Sequence, residues 1–379
     1  MKKILIITER RADYSKFRQI LFEIKKSKKL DYFLVVSGSH LLKKHGYTIN
    51  EIKKDGFKIS KSFNMYDEKF VGTNSEMCMA LGNCILNLTK IIKKLKPDLV
   101  LSGFDIGANL AAAIVGAHMN TVVAHIEGGD VTGSIDESIR HAITKFSHIH
   151  FTSNVLSTKR LVKMGENKKF IFTVGSPAID NIKKIKRISK NELEEYFGLT
   201  LKSPFFILIQ HPVTSEINMV DKNMKIIINA IAESNIPTIM IDGNADAGSK
   251  KISQSSLPSN FKIFSTIDNE KFVNLLQYAT CLIGNSSTGI IETPFLHVPS
   301  INIGTRQNNR LHSSSTIDIG YNKKEIKSAI DKILKDKKFN KKIQNTSGLY
   351  GNGNSSKKII SILEKLDLNS IPIQKELMY

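Results

Sequence analysis

The chain has 379 residues, more than one ordinary domain holds, so two domains are expected. Apolar residues make up 41 % of it and charged residues 24 %, which excludes a disordered chain, a fibre and a small disulfide scaffold. Its 55 basic and 35 acidic residues leave a formal charge of +20, which raises a nucleic acid or a membrane surface as a partner until the charges are located.

In chain order, Ile4–Ile7 is too short for a signal-peptide core and reads as a buried strand. A helical pattern follows around Phe17, Ile20, Leu21 and Ile24, then a strand over Tyr32–Val36. Leu81, Ile85, Leu88, Ile91, Ile92 and Leu95 recur at helical spacing until Pro97 stops them. Leu99–Leu101, Val122–His125 and His148–Thr152 read as strands, with a small-residue helix over Ala108–Ala117. The lysine-rich stretch Lys183–Lys190 reads as a linker, after which the pattern restarts. Strands are expected at Phe205–Ile209, Ile236–Ile241, Cys281–Ile283 and Ser300–Ile303, and helices at Met224–Ala232, Phe272–Tyr278 and Gly289–Phe295. The last helix, Ser355–Leu366, is expected to pack back on the first half.

This alternation predicts an α/β protein of two Rossmann-like domains facing a cleft: residues 1–181 with the C-terminal stretch from about 355 to 379, and residues 182–354. No stretch approaches the ~20 apolar residues of a membrane span, so a cytoplasmic, soluble protein is expected, without a membrane partner. Cys78, Cys84 and Cys281 lack metal-ligand spacing and read as buried thiols, with no metal implied. Lysine runs such as Lys25-Lys26, Lys93-Lys94 and Lys335-Asp-Lys-Lys338 read as solvated helix faces, and without a recognition motif they imply no nucleic acid.

In sheets of this kind ligands sit beyond the carboxyl ends of the strands, so the turns there carry the chemistry. After the first strand, Arg11 and Ser15 flank a helix N-terminus suited to an anion. After the second, His40 is either a solvated loop histidine or one that reaches the cleft. Glu127, followed by Gly128 and Gly129, puts a carboxylate where a ligand can approach backbone. Asp136 begins a helix, either as its N-cap or, with Glu127 and Arg140, as part of an acid–base cluster. In the second half His211 stands at a strand end. Ser286 and Ser287 open a helix as a diphosphate cradle, with Glu292 about one turn in to accept a ribose diol. Arg306 and Arg310 offer planar donors to phosphate. The chain lacks a Walker loop, a G-x-G-x-x-G after the first strand, a G-x-S-x-G and an H-E-x-x-H, which disfavours a P-loop ATPase, a kinase, a nicotinamide dehydrogenase and the corresponding hydrolases.

The ordered stretches Arg11-Ala-Asp-Tyr-Ser15, His125-Ile-Glu-Gly-Gly129, Ile135-Asp-Glu-Ser-Ile-Arg-His141, Gln210-His-Pro-Val-Thr214, Asn244-Ala-Asp-Ala-Gly-Ser-Lys250, Gly284-Asn-Ser-Ser287 and Gly304-Thr-Arg-Gln307 resemble the hydrolysing UDP-N-acetylglucosamine 2-epimerases. The resemblance runs over about residues 1 to 365. It implies a GT-B-like fold with the active site in the interdomain cleft, and a homodimer or homotetramer. It also implies a two-step reaction without metal or cofactor: loss of the C2 proton and the nucleoside diphosphate to give a glycal, then hydration with inversion at C2. By the same resemblance Glu127 and Asp136 are the acid–base residues and Arg140 stands beside them. His211 touches the diphosphate or leaving group, and Arg11, Ser15, Asn244, Ser286, Ser287, Glu292 and Arg306 hold the nucleotide. The family usually has Gly-Asp-Arg after the third strand. Here the residues are Gly103-Phe104-Asp105, which shifts the catalytic aspartate by one place to Asp105 and removes the arginine. The Gly-Thr before the first arginine is likewise replaced by Glu9-Arg10. UDP-N-acetylglucosamine is the expected substrate, with a UDP- or GDP-linked 2,4-diacetamido-6-deoxy sugar as the variant. A glycosyltransferase of the same architecture and a nucleotide-sugar-binding protein without turnover are the alternatives.

Overall fold

A computed structural model describes residues 1–67, 72–241, 256–346 and 348–378. The chain divides into two compact units: residues 1–130, 135–183 and 350–379 form the first, and residues 131–134 and 184–349 the second.

Among the described residues the first unit holds seven strands, β1 (Lys2–Thr8), β2 (Leu30–Val36), β3 (Ile59–Ser62), β4 (Leu99–Gly103), β5 (Val122–Ile126), β6 (Ile149–Thr152) and β7 (Ile171–Thr173). Its helices are α1 (Arg11–Lys26), α2 (Ile49–Lys54), α3 (Asn74–Leu95), α4 (Gly107–His118), α5 (Ile135–Phe146), α6 (Val155–Lys163) and α7 (Pro177–Lys184). The strands lie in the order β3-β2-β1-β4-β5-β6-β7, and every pairing is parallel. The consecutive apolar residues Ile4–Ile7 are buried on both faces of β1, which a sheet covered by helices on both sides requires. From one side α1 inserts Phe17, Ile20, Leu21 and Ile24 into the core. The alanine-rich α4 packs close enough that a Cβ on Gly116 would stand 2.8 Å from Val123 Cγ2.

The second unit holds β8 (Phe206–Ile209), β9 (Thr238–Ile241), β10 (Phe261–Phe264), β11 (Cys281–Gly284), β12 (Ser300–Ile303) and β13 (Thr316–Ile319), with α8 (Lys190–Phe197), α9 (Val220–Ala232), α10 (Asn269–Leu276), α11 (Thr288–Ile291), α12 (Lys323–Lys335) and α13 (Lys337–Gln344). Its order, β10-β9-β8-β11-β12-β13, is again wholly parallel. That is the doubly wound sequence 3-2-1-4-5-6, with one apolar cluster on each face of the sheet.

The final helix α14 (Ser355–Lys365) belongs to the first unit and is pinned at both ends. The Asp180 carboxylate accepts the N–H groups of Ser355 (2.9 Å) and Ser356 (2.5 Å) at its start, and Lys2 Nζ donates to Leu363 O (2.9 Å) and Leu366 O (2.5 Å) at its finish. Beyond it Lys375 donates to Thr144 O (2.8 Å) and pairs with the buried Glu166 (2.5 Å), which also meets His150 Nε2 and Lys145 Nζ, each at 3.0 Å.

Three expectations are corrected. The helix expected over Gly289–Phe295 spans only Thr288–Ile291: Thr293 Oγ1 donates to Gly289 O (2.9 Å), and Pro294 has no N–H to continue the ladder. Cys84 and Cys281 are buried as expected, but Cys78 is exposed on α3. Four strands that the apolar pattern does not predict, β3, β7, β10 and β13, are the four edge strands. Among the described residues no helix is long and apolar enough to cross a membrane.

Candidate active site

The turn after β1 is built around Asp13. Its carboxylate accepts the N–H groups of Glu9 and Arg10 (2.9 Å each) and the Thr8 hydroxyl (3.0 Å), which fixes the entry into α1. Burial raises the Asp13 pKa to about 6 against those bonds. Arg11 is the first residue of α1 and is half-buried; Ser15 donates to Ala12 O (2.9 Å) on its own helix. His40 is fully buried, between Thr8 Oγ1 (3.0 Å) and Thr48 Oγ1 (2.6 Å), so it is neither of the surface groups expected. Burial pushes its pKa down to about 3 and keeps it neutral.

At the β1–β4 switch point the buried Glu9 carboxylate accepts the Tyr66 hydroxyl (2.6 Å) and the Ala108 N–H (2.8 Å) at the start of α4. After β4 the chain turns through Phe104, whose φ of +69° is left-handed. The Phe104 N–H is held by Ile126 O (2.9 Å), and its ring is buried against Phe17 with centroids 5.1 Å apart. The ring therefore goes into the core and Asp105 is left at the rim, where it forms an ion pair with Arg140 Nη2. The left-handed turn is supported by the neutral, buried His125, from Nε2 to Phe104 O (3.2 Å).

Glu127, just past β5, is also left-handed at φ +61° and is 1 % exposed. Both carboxylate oxygens are held: Lys16 Nζ stands 2.6 Å from Oε2, and the Ser176 hydroxyl donates to Oε1. Lys16 also lies over the Phe104 ring, 4.4 Å from its centroid. The two following glycines serve packing: a Cβ on Gly129 would stand 2.5 Å from Ser157 O, and one on Gly128 2.9 Å from His125 Nδ1. Asp136 is not the N-cap of α5 but lies inside its first turn, half-buried, where the helix N-terminus favours a carboxylate. One turn later Arg140 is 1 % exposed, donating to Asp130 O (3.2 Å) and paired with Asp105.

The first unit thus brings together Lys16, Glu127 and Ser176 in one cluster and Asp105 with Arg140 in another, bridged by the Phe104 turn. Lys16 and Ser176 were not singled out from the sequence. Ser176 carries a readable signal, since Gly175-Ser176-Pro177 announces a helix start. Lys16 carries only its place beside the core residue Phe17.

In the second unit the β8–β11 switch point is organised by Asn285, which is fully buried. It accepts the His211 N–H at Oδ1 (2.7 Å) and donates from Nδ2 to His211 O (2.8 Å). Its own carbonyl accepts Arg306 Nη1 (3.2 Å) and Gln307 Nε2 (2.8 Å). Gly284, at φ +121°, makes the crossing possible, because a Cβ there would lie 2.0 Å from Ile209 O. His211 and Arg306 are therefore gathered around the stretch that carries Ser286 and Ser287. Ser286 Oγ accepts the Thr288 N–H (3.3 Å), and Ser287 is the residue before α11.

Two residues differ from expectation here. Glu292 is the C-cap of the four-residue α11, not a residue one turn into a longer helix. Arg310 is buried and spent on structure, donating to Val131 O (3.1 Å) and Gln307 Oε1 (2.8 Å). Asn244 lies outside the described residues.

Two doubly wound parallel sheets, each with its polar residues at the switch point, define a protein of the GT-B-like class built from two Rossmann-like domains. The sequence profile of the UDP-N-acetylglucosamine 2-epimerase family matches residues 22–364, and the chain belongs to that family. A UDP-N-acetylglucosamine 2-epimerase of Neisseria meningitidis serogroup B is 36 % identical over 89 % of both chains. A hydrolysing UDP-N,N'-diacetylbacillosamine 2-epimerase of Legionella pneumophila is 32 % identical over 99 % of both chains. Among solved structures, the Neisseria meningitidis UDP-GlcNAc 2-epimerase bound to UDP-GlcNAc superposes with a TM-score of 0.83 at 20 % identity, covering 96 % of this chain and 100 % of that one. The chain is thus a nucleotide-sugar 2-epimerase by family.

Proposed function

We propose that the protein is a hydrolysing 2-epimerase that converts UDP-N-acetylglucosamine and water to N-acetylmannosamine and UDP. The observation that carries this reading is the Glu127 carboxylate, buried, strained and gripped at both oxygens by Lys16 and Ser176. A carboxylate held this way is pre-oriented for proton transfer at a carbon such as sugar C2. Asp136, on the first turn of α5, is the second acid–base group, and supplies or receives the proton when water adds across the glycal. Because the C2 proton is weakly acidic, departure of the diphosphate must drive the first step. Arg11 and Ser15 in the first domain, with His211, Ser286, Ser287, Glu292, Arg306 and Asn244 in the second, are the proposed nucleotide contacts that favour it. Arg140, paired with Asp105 and one turn after Asp136 on α5, is the proposed site residue that accompanies these acid–base groups.

A second reading, the same reaction on a UDP-linked 2,4-diacetamido sugar, is favoured by the Legionella pneumophila relative, which matches along 99 % of both chains. The test is NMR product analysis in D2O with UDP-N-acetylglucosamine and with UDP- and GDP-linked diacetamido sugars. The proposal expects free N-acetylmannosamine, UDP and one deuterium at C2 of the product. Release of UDP only when an acceptor sugar is added identifies a glycosyltransferase, and UDP binding without turnover identifies a nucleotide-sugar-binding protein; either overturns the proposal.

A further inference from the structure

Behind the turn that carries Arg306 lies a second hydrogen-bonded cluster, all of it within the second domain. The turn starts at Gly304, whose φ is +85° and whose N–H is held by Ile319 O at 2.9 Å. The Tyr321 ring lies directly on this glycine: a Cβ there would stand 2.5 Å from the phenolic oxygen and 2.7 Å from Cζ. The next residue, Thr305, donates from Oγ1 to Glu216 Oε1 at 2.7 Å. The Tyr321 hydroxyl donates to the same carboxylate and accepts from Gln210 Nε2 at 3.2 Å. Gln210 immediately precedes His211, and Thr305 immediately precedes Arg306. One side of the cluster borders an open pocket of about 510 Å³, lined in part by Glu216, Lys222, Asn223 and Tyr321.

These contacts have a shared geometry. The Arg306 turn is clamped on one side by Asn285, through Arg306 and Gln307, and on the other by Glu216 and Tyr321. Gln210 ties the same phenol to the strand end that carries His211. Burial, and then the facing Glu216 carboxylate, raise the Tyr321 pKa to about 12, so the phenol keeps its proton and remains a donor at neutral pH.

We propose that Glu216, Tyr321 and Thr305 form a positioning lock that holds Arg306, and through Gln210 the His211 strand end, in the orientation that receives the nucleoside diphosphate. The lock acts through Arg306 and does not itself touch the ligand. This deepens the proposed function and rests on it, because it takes Arg306 and His211 to be diphosphate contacts. Losing the lock costs ligand affinity, since the arginine must then be ordered on binding.

The test is calorimetric titration of the full-length enzyme with UDP, together with KM, kcat and Tm for each variant. Thr305→Val should raise the UDP Kd and the KM roughly tenfold, with kcat within about twofold and Tm little changed. Thr305→Ser, which keeps the hydroxyl, should restore wild-type affinity. Glu216→Met should match Thr305→Val, and the double variant should bind no more weakly than either single one. A Thr305→Val enzyme that binds UDP within about twofold of wild type, or a Thr305→Ser enzyme as weak as the valine variant, overturns the lock. Absence of UDP binding by the unaltered enzyme overturns the proposed function and the lock with it. Equal UDP binding by the wild type and every variant overturns the lock alone.

Discussion

Glu127→Gln separates chemistry from structure more cleanly than any other change in the first domain. Glutamine is nearly isosteric, so the left-handed backbone at φ +61° and the surrounding packing are retained. Its amide oxygen can still accept from Lys16 while its NH2 group donates to the Ser176 hydroxyl, so the cluster loses one negative charge and one acceptor but keeps a hydrogen bond to each partner. Lys16 then faces a neutral partner. Its side chain is 17 % exposed and water reaches it, so the stability cost is about 1–2 kcal/mol, below the 3–5 kcal/mol typical of stranding a fully buried charge. The loss of a carboxylate acting as base should instead lower turnover by roughly 100-fold or more, about 2.7 kcal/mol of transition-state stabilisation. The assay is initial-rate UDP release from UDP-N-acetylglucosamine, with a thermal melt of the same sample and a UDP titration to show that the nucleotide still binds. A variant that turns over within about threefold of wild type would remove Glu127 from the chemistry. A rate loss that disappears when the fraction unfolded is taken into account would show that the carboxylate is only structural.

Asp136→Asn, at a half-buried position in the first turn of α5, should likewise cut kcat by roughly 100-fold with little change in Tm, checked by the same rate and melting assays. Arg140→Met removes the bonds to Asp130 O and Asp105 from a buried site and should cost about 3 kcal/mol of stability as well as activity, read by urea denaturation. Gly284→Ala would drive a Cβ to 2.0 Å from Ile209 O at a φ only glycine adopts readily, so the melting temperature and UDP affinity should fall together. For Glu166, burial alone would raise the pKa, but His150 and Lys375 outweigh it and bring the carboxyl from 4.5 down to about 2. A carboxylate whose folded pKa is depressed stabilises the fold fully above its unfolded pKa and loses that contribution as pH falls from about 4.5 towards 2. Glu166→Gln should therefore flatten the acid limb of the stability–pH curve in that window, and an unchanged slope would count against the cluster as its cause.

The physical limit of the sequence reading shows in the strands. All nine strands read from apolar runs are internal to one of the two sheets, and all four that escaped the reading are edges. An internal parallel strand is covered on both faces and must be apolar throughout, as Leu99–Gly103 is. An edge strand such as Ile59–Ser62 or Thr316–Ile319 has half-buried and exposed positions and alternates with lysine, serine or aspartate, so it has no apolar run to read. The site divides along a similar line. The motifs that carry Glu127, Arg140, His211 and Arg306 are legible as motifs because their residue types and spacing are restricted, and the structure places the first two in polar clusters of the first unit and the last two around Asn285 in the second. Lys16 is not legible in this way, because its contact is with a partner 111 residues away, and Asn285 is not, because a buried amide that bridges two strand ends has the same local sequence as a surface one. His40 and Arg310 were misread for the converse reason: a polar residue at a strand end is as able to satisfy buried neighbours as to meet a ligand.

The two domains share a strand order but use their switch points differently, and this bears on where the proposed diphosphate contacts lie. In the second domain the crossing from β8 to β11 is made by a neutral amide, Asn285, with the proposed diphosphate contacts Ser286, Ser287 and Arg306 around it. In the first, the corresponding crossing from β1 to β4 is made by the Glu9 carboxylate, which sits on the Ala108 N–H at the start of α4. A helix N-terminus with its own carboxylate in place repels a second anion. Glu9 is therefore a fixture of the first fold, and unlike the nearby Arg11 and Ser15 it is expected not to contact the nucleotide. Replacing it with alanine leaves the buried Tyr66 hydroxyl and Ala108 N–H without their acceptor, at a cost of about 2–4 kcal/mol, while UDP affinity should stay within about twofold of wild type. If Glu9→Ala instead melts normally and binds UDP an order of magnitude differently, the diphosphate reaches the first switch point, and this division between the two domains is wrong.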